Sequence, residues 1–370
     1  MIAFLAVFTF SSAAVIHTQI SHDPVNVLTF SCMGESDPVY IFRPRTSSNG
    51  LDPHEPVEIR GNGNFTAENG IVGGSGTEDD PFLIANWTFD HGKWNDLGGG
   101  AAIRTIICIF DTTAHFIIAN CSFTYKDGLD TYGIYAYNVS NGDIINNIFT
   151  RLTDAIFVGD SNDFTVENNH FEGSSIEFWR GFNISISHNT VLGAGSGIDL
   201  TGDCSCVIEN ICIDSISYGI SVSGTNVSTV NNFCFDNKGD GILHSGDNAN
   251  ITGNICWRNR EDGIFVHTSQ GIIAYNNCSE NGAFGIHLGS TMESQVYGNF
   301  LFANRKGNLF DEGGSQNDIH DNVGVGPDVS VIVLAVILPA TLVTASIVIY
   351  KGTKGRKKPA LNTPAPLPEK

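Results

Sequence analysis

Positive charge is scarce in this sequence: 19 Lys and Arg stand among 370 residues, against 39 Asp and Glu. Six of the basic side chains and one acidic one fall in residues 351–370, so the remainder holds 13 basic against 38 acidic groups, a net of −25. That is the wrong sign for gripping phosphates, and it excludes nucleic acid as a partner. It suits an exposed surface that stays soluble and offers carboxylates to divalent cations such as Ca2+. Strong helix formers are scarce too. Over residues 197–307 the chain is built from Ile, Val, Asn, Gly and Ser rather than Ala, Leu, Glu and Lys, which excludes helical and leucine-rich repeats.

What is present is a period. Glycine recurs at 197, 219, 241, 263, 285 and 307, always 22 residues apart, and Ile198, Ile220, Ile242, Ile264 and Ile286 follow five of them. Asn210, Asn232, Asn254 and Asn276 keep the same step, as do Cys212, Cys234, Cys256 and Cys278. A fixed period of this length marks stacked supersecondary units, none of which can bury its apolar face alone. After each glycine, apolar and variable residues alternate, as in Gly263-Ile-Phe-Val, so a unit opens on a short strand with one face inward.

Three short strands and three turns fit 22 residues, and successive coils then stack by parallel pairing about 4.8 Å apart. The expected fold is all-β: a right-handed parallel β-helix with an N-terminal cap and one C-terminal transmembrane helix. Isoleucine fills the core, and stacked asparagines hydrogen-bond along the axis at a turn. The cysteine ladder points inward by strand parity as small apolar residues, although neighbouring coils also come within disulfide reach.

The domain reading follows. Residues 1–21 are a signal-like apolar segment, 22–100 a cap, 101–327 the β-helix, 328–350 a transmembrane helix and 351–370 a basic, Pro-rich cytoplasmic tail. Nine coils are counted between 133 and 327, with one or two before them. Residues 329–350 are 22 apolar or small residues without a charge, enough for a membrane helix. Lys351, Lys354, Arg356, Lys357 and Lys358 follow at once, which places the C-terminus in the cytoplasm and the β-helix outside the cell. Eight Asn-x-Ser/Thr sequons, from Asn64 to Asn277, all fall on that outer side.

The segments Pro56-Val-Glu-Ile-Arg-Gly-Asn and Gly70-Ile-Val-Gly-Gly-Ser-Gly-Thr-Glu-Asp-Asp-Pro-Phe-Leu-Ile, taken with the repeats, resemble a family. It is the NosD-like, carbohydrate-binding and sugar-hydrolase type of archaeal-style cell-surface β-helix, in the pectin-lyase-like superfamily. The resemblance covers roughly residues 54–323. It implies the fold and a cell-surface setting, with an extracellular polysaccharide or a surface protein as partner. Because NosD-like proteins are associated with copper-site maturation, it also draws attention to Cu.

Chemistry is sought on the outward positions of the Gly-Ile strand. The second residue after each glycine equivalent gives Tyr135, Phe157, Glu177, Asp199, Phe265, His287 and Leu309; the fourth gives Tyr137, Trp179 and His267. Tyr135, Tyr137, Trp179 and Phe265 are the candidates for stacking on sugar rings, with packing beneath a cap or loop as the competing role. Glu177 and Asp199, one coil apart and with Arg180 close by, have the spacing of a retaining glycosidase pair, but any adjacent carboxylates in stacked coils share it. The Asn-Thr-Asp, Gly-His-Gly and Arg-Ile-Lys motifs of polygalacturonase-like enzymes are missing from the coils, and so is the second arginine a pectate-lyase-like site needs. His267 and His287, in adjacent coils but offset by two positions, are the candidate metal donors for Cu or Zn. The leading expectation is a membrane-anchored extracellular module that binds glycans or mediates adhesion. A polysaccharide lyase, hydrolase or epimerase is the alternative, and a copper-site accessory protein the second alternative.

Overall fold

A computed structural model describes residues 51–89, 94–96, 104–125 and 131–324, together with the backbone of four strands between Ala6 and Ile41. Those four strands pair antiparallel with one another in a sheet of their own. The expected membrane span at 329–350 and the tail after it lie outside the described residues. Among the described residues, no helix is long and apolar enough to cross a membrane.

The repeat region is a parallel β-solenoid. A regular coil holds three strands, for instance Ile242–Ser245, Asn250–Thr252 and Ile255–Trp257. The first two kinds of strand belong to one 22-stranded sheet and the third to an 11-stranded sheet. Ile242 is the register partner of Ile220 on one side and of Ile264 on the other, and all three are fully buried. The isoleucine column therefore stacks as the sequence requires.

The third strand supplies a second column whose side chains shrink from phenylalanine to cysteine before it closes on Leu301. Phe89, Phe123, Phe149 and Phe171 stack ring on ring at 5.0, 4.6 and 4.9 Å. Val191 continues the column, and then come Cys212, Cys234, Cys256 and Cys278 in register. All four cysteines are buried and free, and burial pushes the thiols of Cys212, Cys234 and Cys256 well above the usual range. They act as apolar filling. The solenoid interior also contains His244, whose Nδ1 lies 3.2 Å from Thr229 Oγ1; burial lowers its imidazole to about 4.

Two asparagine ladders close the turns. In the predicted one, Asn254 Oδ1 accepts from the backbone N of Asn232 at 2.9 Å and from its Nδ2 at 3.1 Å. Asn254 Nδ2 in turn donates to Thr229 O at 2.8 Å and to Asn276 Oδ1 at 3.0 Å. The second ladder, Asn237, Asn259, Asn281 and Asn304, was not read from the sequence, and it explains the glycine column. A Cβ on Gly263 would stand 2.6 Å from Gly285 O and 2.7 Å from Asn281 Nδ2. These glycines are needed for close approach.

Both ends of the array differ from the sequence reading. Within the stretch expected to form a cap, Val57–Arg60, Phe82–Ala85 and Trp87–Phe89 pair in parallel with the strands of the following coil. Val57 lies under Ile107 and Phe82 under Phe116, so the stacking begins in this stretch. At the far end Leu309 pairs with Ile286 and Phe310 with His287, so the outward residue of the last coil is Phe310, not Leu309. The cause is one extra residue in the turn after Leu288: Val266 pairs with Leu288, but Ser269 bridges to Met292. Asn308, rather than the periodic Gly307, consequently comes into register with Gly285, with its carbonyl 2.5 Å from a Cβ built on that glycine.

Candidate functional site

The outward column of the first strand runs through register partners Tyr135, Phe157, Glu177, Asp199 and Ser221. Period-two alternation puts them outside, because Ile134 and Ala136 beside Tyr135 are buried in the core. Tyr135 and Phe157 stack at 4.9 Å, and Tyr132 meets both rings edge-on. Burial raises the Tyr135 phenol above its ordinary value.

Glu177 and Asp199 do sit side by side in adjacent coils. Burial pushes the Glu177 carboxyl up, and the carboxylates of Asp154 and Asp199 add to the effect. Asp199 is raised by burial too, with the Ser221 hydroxyl partly opposing it. A carboxyl raised in the folded state costs stability once pH exceeds its unfolded value, because the unfolded chain sheds that proton more easily. Glu177→Gln should therefore raise the melting temperature at pH 7, and the gain should vanish below the ordinary glutamate range, where both states are protonated. Equal gains across a pH series of melting curves would contradict this.

Arg180 does not serve Glu177. Its Nε lies 2.8 Å from Asp160 Oδ1 and its Nη2 3.0 Å from Asp160 Oδ2, a two-pronged grip. Asp160 Oδ2 also accepts from the Tyr137 hydroxyl, which raises that phenol. The Arg180 guanidinium lies 3.5 Å from the centroid of the Trp179 ring. Tyr137, Asp160, Arg180 and Trp179 thus form one linked cluster, beside the ring and carboxylate column. Trp179 remains 42% exposed and neighbouring Phe182 51%. Asp160 escaped the sequence reading because it lies in a turn and reaches Arg180 in the next coil.

At the other end of the stripe, Phe265 and His287 are register partners with rings 4.7 Å apart. His267 is exposed and pairs with Ser245 in a different column, so the two candidate metal histidines do not come together. The contacts of His287 lie elsewhere: Nδ1 is 2.8 Å from Asp262 Oδ2, and Nε2 is 3.1 Å from Glu312 Oε1. Asp240 is tied to this group, since its Oδ1 accepts from the Asp262 backbone N at 2.7 Å and burial pushes its carboxyl up to about 7. Among the described residues, no three His, Cys, Asp or Glu side chains gather as ligands of one ion.

Residues 112–317 match the family described as periplasmic copper-binding protein (NosD). The chain belongs to the NosD family. That match opens at the end of the strand Arg104–Thr112 and closes in the last coil, so the NosD region lies within the solenoid and leaves out its first coils. Similar solved structures include the periplasmic alginate epimerase AlgG, 15% identical, with a TM-score of 0.48 over 66% of this chain and 84% of that one. The A-module of the Azotobacter vinelandii mannuronan C-5 epimerase AlgE4 is 14% identical, with a TM-score of 0.48 over 72% and 100%. An exopolygalacturonase from Thermotoga maritima is 9% identical, with a TM-score of 0.43 over 64% and 82%. No curated protein matches the chain.

The family description names copper, and the donors present allow a test of fit. His244 has a buried, unpartnered Nε2, but it points into the apolar core beside Thr229. His287 Nε2 is buried and stands in an ion pair with Glu312 Oε1 at 3.1 Å. With no third ligand gathered beside it among the described residues, His287 does not make up a copper site.

Proposed function

We propose that this NosD-family solenoid holds a polysaccharide along its outward stripe, displayed outside the cell on a membrane stem formed by residues 329–350. The observation that carries the reading is the Tyr137–Asp160–Arg180–Trp179 cluster. It keeps a half-exposed indole in a fixed pose beside the stacked rings of Tyr135 and Phe157 and the carboxylates of Glu177 and Asp199. An aromatic face takes the apolar face of a sugar ring, and adjacent carboxylates accept its hydroxyls. Strands locked into a stack pre-organise such a surface, so little freedom is lost on binding.

Trp179→Ala should weaken polysaccharide binding at least about tenfold, or about 1.4 kcal/mol, on a glycan array followed by titration. Tyr137→Ala should weaken it less, by freeing the Asp160 grip on Arg180. Binding that survives both changes would refute the stripe. Cleavage of the bound polymer is a second reading, supported by the raised Glu177 carboxyl, which suits a general acid. It predicts reducing ends or unsaturated uronates that disappear in Glu177→Gln; silence across a broad panel of polysaccharides removes it.

A further inference from the structure

We propose that the solenoid carries a second binding site, a basic cleft on the sheet of third strands that takes a sugar bearing an oxyanion: a carboxylate, sulfate or phosphate. It lies on a different sheet from the aromatic stripe, and either can fail without the other.

Basic residues are few, and they are not scattered. Lys238, Arg258, Arg260, Arg305 and Lys306 are five of the 13 lysines and arginines outside residues 351–370. All five flank one turn, the one closed by the second asparagine ladder. The stack sets their places. The backbone N of Arg260 donates to Asn237 O at 2.8 Å, and that of Arg305 to Asn281 O at 3.0 Å, so both leave their coils at the same position.

The first three converge. A cleft of about 520 Å3 is lined by Lys238, Arg258 and Arg260 together with Ile213, Asp214 and Asp236. That volume falls in the range of small-ligand sites and has room for about one or two sugar rings. Three cations face two carboxylates there. Lys238 Nζ pairs with Asp214, and Arg258 Nε lies 3.5 Å from Asp236 Oδ1. Arg260 pairs with no carboxylate among the described residues. Both ion pairs join half-exposed side chains, and such pairs hold together weakly in water. An arriving oxyanion therefore finds one guanidinium unpaired and two more cations that are released at little cost.

Beside the charges runs an apolar ledge. Cys212, Cys234 and Cys256 point inward, so their neighbours Ile213, Phe235 and Trp257 form the outward column of the same strands. The Phe235 and Trp257 rings stack at 4.9 Å, and the Arg258 guanidinium lies 5.7 and 5.6 Å from their centroids. An aromatic ledge that meets cations suits a charged sugar. The C–H face of the ring lies on the aromatic side chains while arginine and lysine hold the oxyanion.

The remaining surface narrows the choice. With a net of −25 outside residues 351–370, the chain repels a long polyanion over most of its area. A nucleic acid, which needs a continuous basic track, does not fit. A single acidic unit, terminal or spaced along a polymer, does.

The test is calorimetric titration and saturation-transfer NMR of the full chain in detergent with glucuronic acid, glucose 6-sulfate, glucose 6-phosphate and, as the neutral control, glucose. At least one anionic sugar should bind about tenfold more tightly than glucose, and the one that does names the oxyanion. Arg260→Gln should weaken that binding about tenfold, and Arg260→Lys should retain most of it. Arg60→Gln, at an exposed arginine of the first coil, should leave it unchanged. No preference over glucose overturns the proposal, as does binding that survives Arg260→Gln combined with Lys238→Gln. Acidic sugars lost in Trp179→Ala but kept in that double variant sit on the stripe, which overturns it too. A glutamate peptide bound as tightly as the sugars also overturns it, because charge alone is then recognised. Should the double variant fail to fold by circular dichroism, Arg260→Gln alone decides.

Discussion

Replacing Asn254 by alanine should cost the solenoid about 4 kcal/mol, among the largest effects of any single change here. The side chain accepts two hydrogen bonds from Asn232 and donates to Thr229 O and Asn276 Oδ1, all buried. Truncation leaves the backbone N of Asn232 without its acceptor, Asn232 Nδ2 with only Val207 O, and Thr229 O without this donor. Each buried orphan costs about 1–3 kcal/mol, and Asn232, Thr229 and Asn254 are all buried. The comparison that isolates the ladder is Asn322→Ala. Asn322 is half-buried at the end of the same ladder, where solvent can replace the lost partners. Its loss should cost only about 1 kcal/mol. Guanidinium unfolding followed by circular dichroism gives both values. Equal costs would mean that the ladder is decoration on a fold held by its apolar columns alone.

Phe149→Ala should be as damaging, at about 3–5 kcal/mol, because the ring is fully buried and stacks on a phenylalanine at each side. Cys234→Ala, lower in the same column, removes a single sulfur atom and should cost about 1 kcal/mol. The gradient follows the shrinking side chains from Phe171 through Val191 to Cys212. Thermal melts under reducing and non-reducing conditions would measure it. A Cys234→Ala penalty as large as that of Phe149→Ala, seen only without reductant, would show that the stacked thiols are paired after all.

The regular coils were legible in the sequence because stacking like residues writes the fold into the chain at a constant interval. Ile220, Ile242 and Ile264 could be superposed before any coordinates. The ends resisted that logic. Residues 57–89 lack the interval because two short 3-10 helices and the antiparallel strand Ile71–Gly73 are inserted between Val57–Arg60 and Phe82–Ala85, although these two strands pair in register with the following coil. In the last coil one inserted residue after Leu288 shifts the alternation, so Leu309 goes inward and Phe310 outward. The site was legible in part for a related reason. Neighbours at the interval, such as Glu177 beside Asp199, could be named in advance. Asp160 with Arg180, and Asp262 with His287 and Glu312, join turns to strands across coils at other separations. Side-chain reach sets those contacts, and periodicity does not encode it.

Each regular coil presents to the next the same backbone groups and the same asparagine amide that the previous coil presents to it. Nothing in that junction identifies which coil it belongs to. A block of 22 residues such as 220–241 could be duplicated or excised and both cut surfaces would still match. The molecule's reach is therefore a quantity that gene copying can tune in fixed increments, while the two ends, where the pattern breaks, keep their identity.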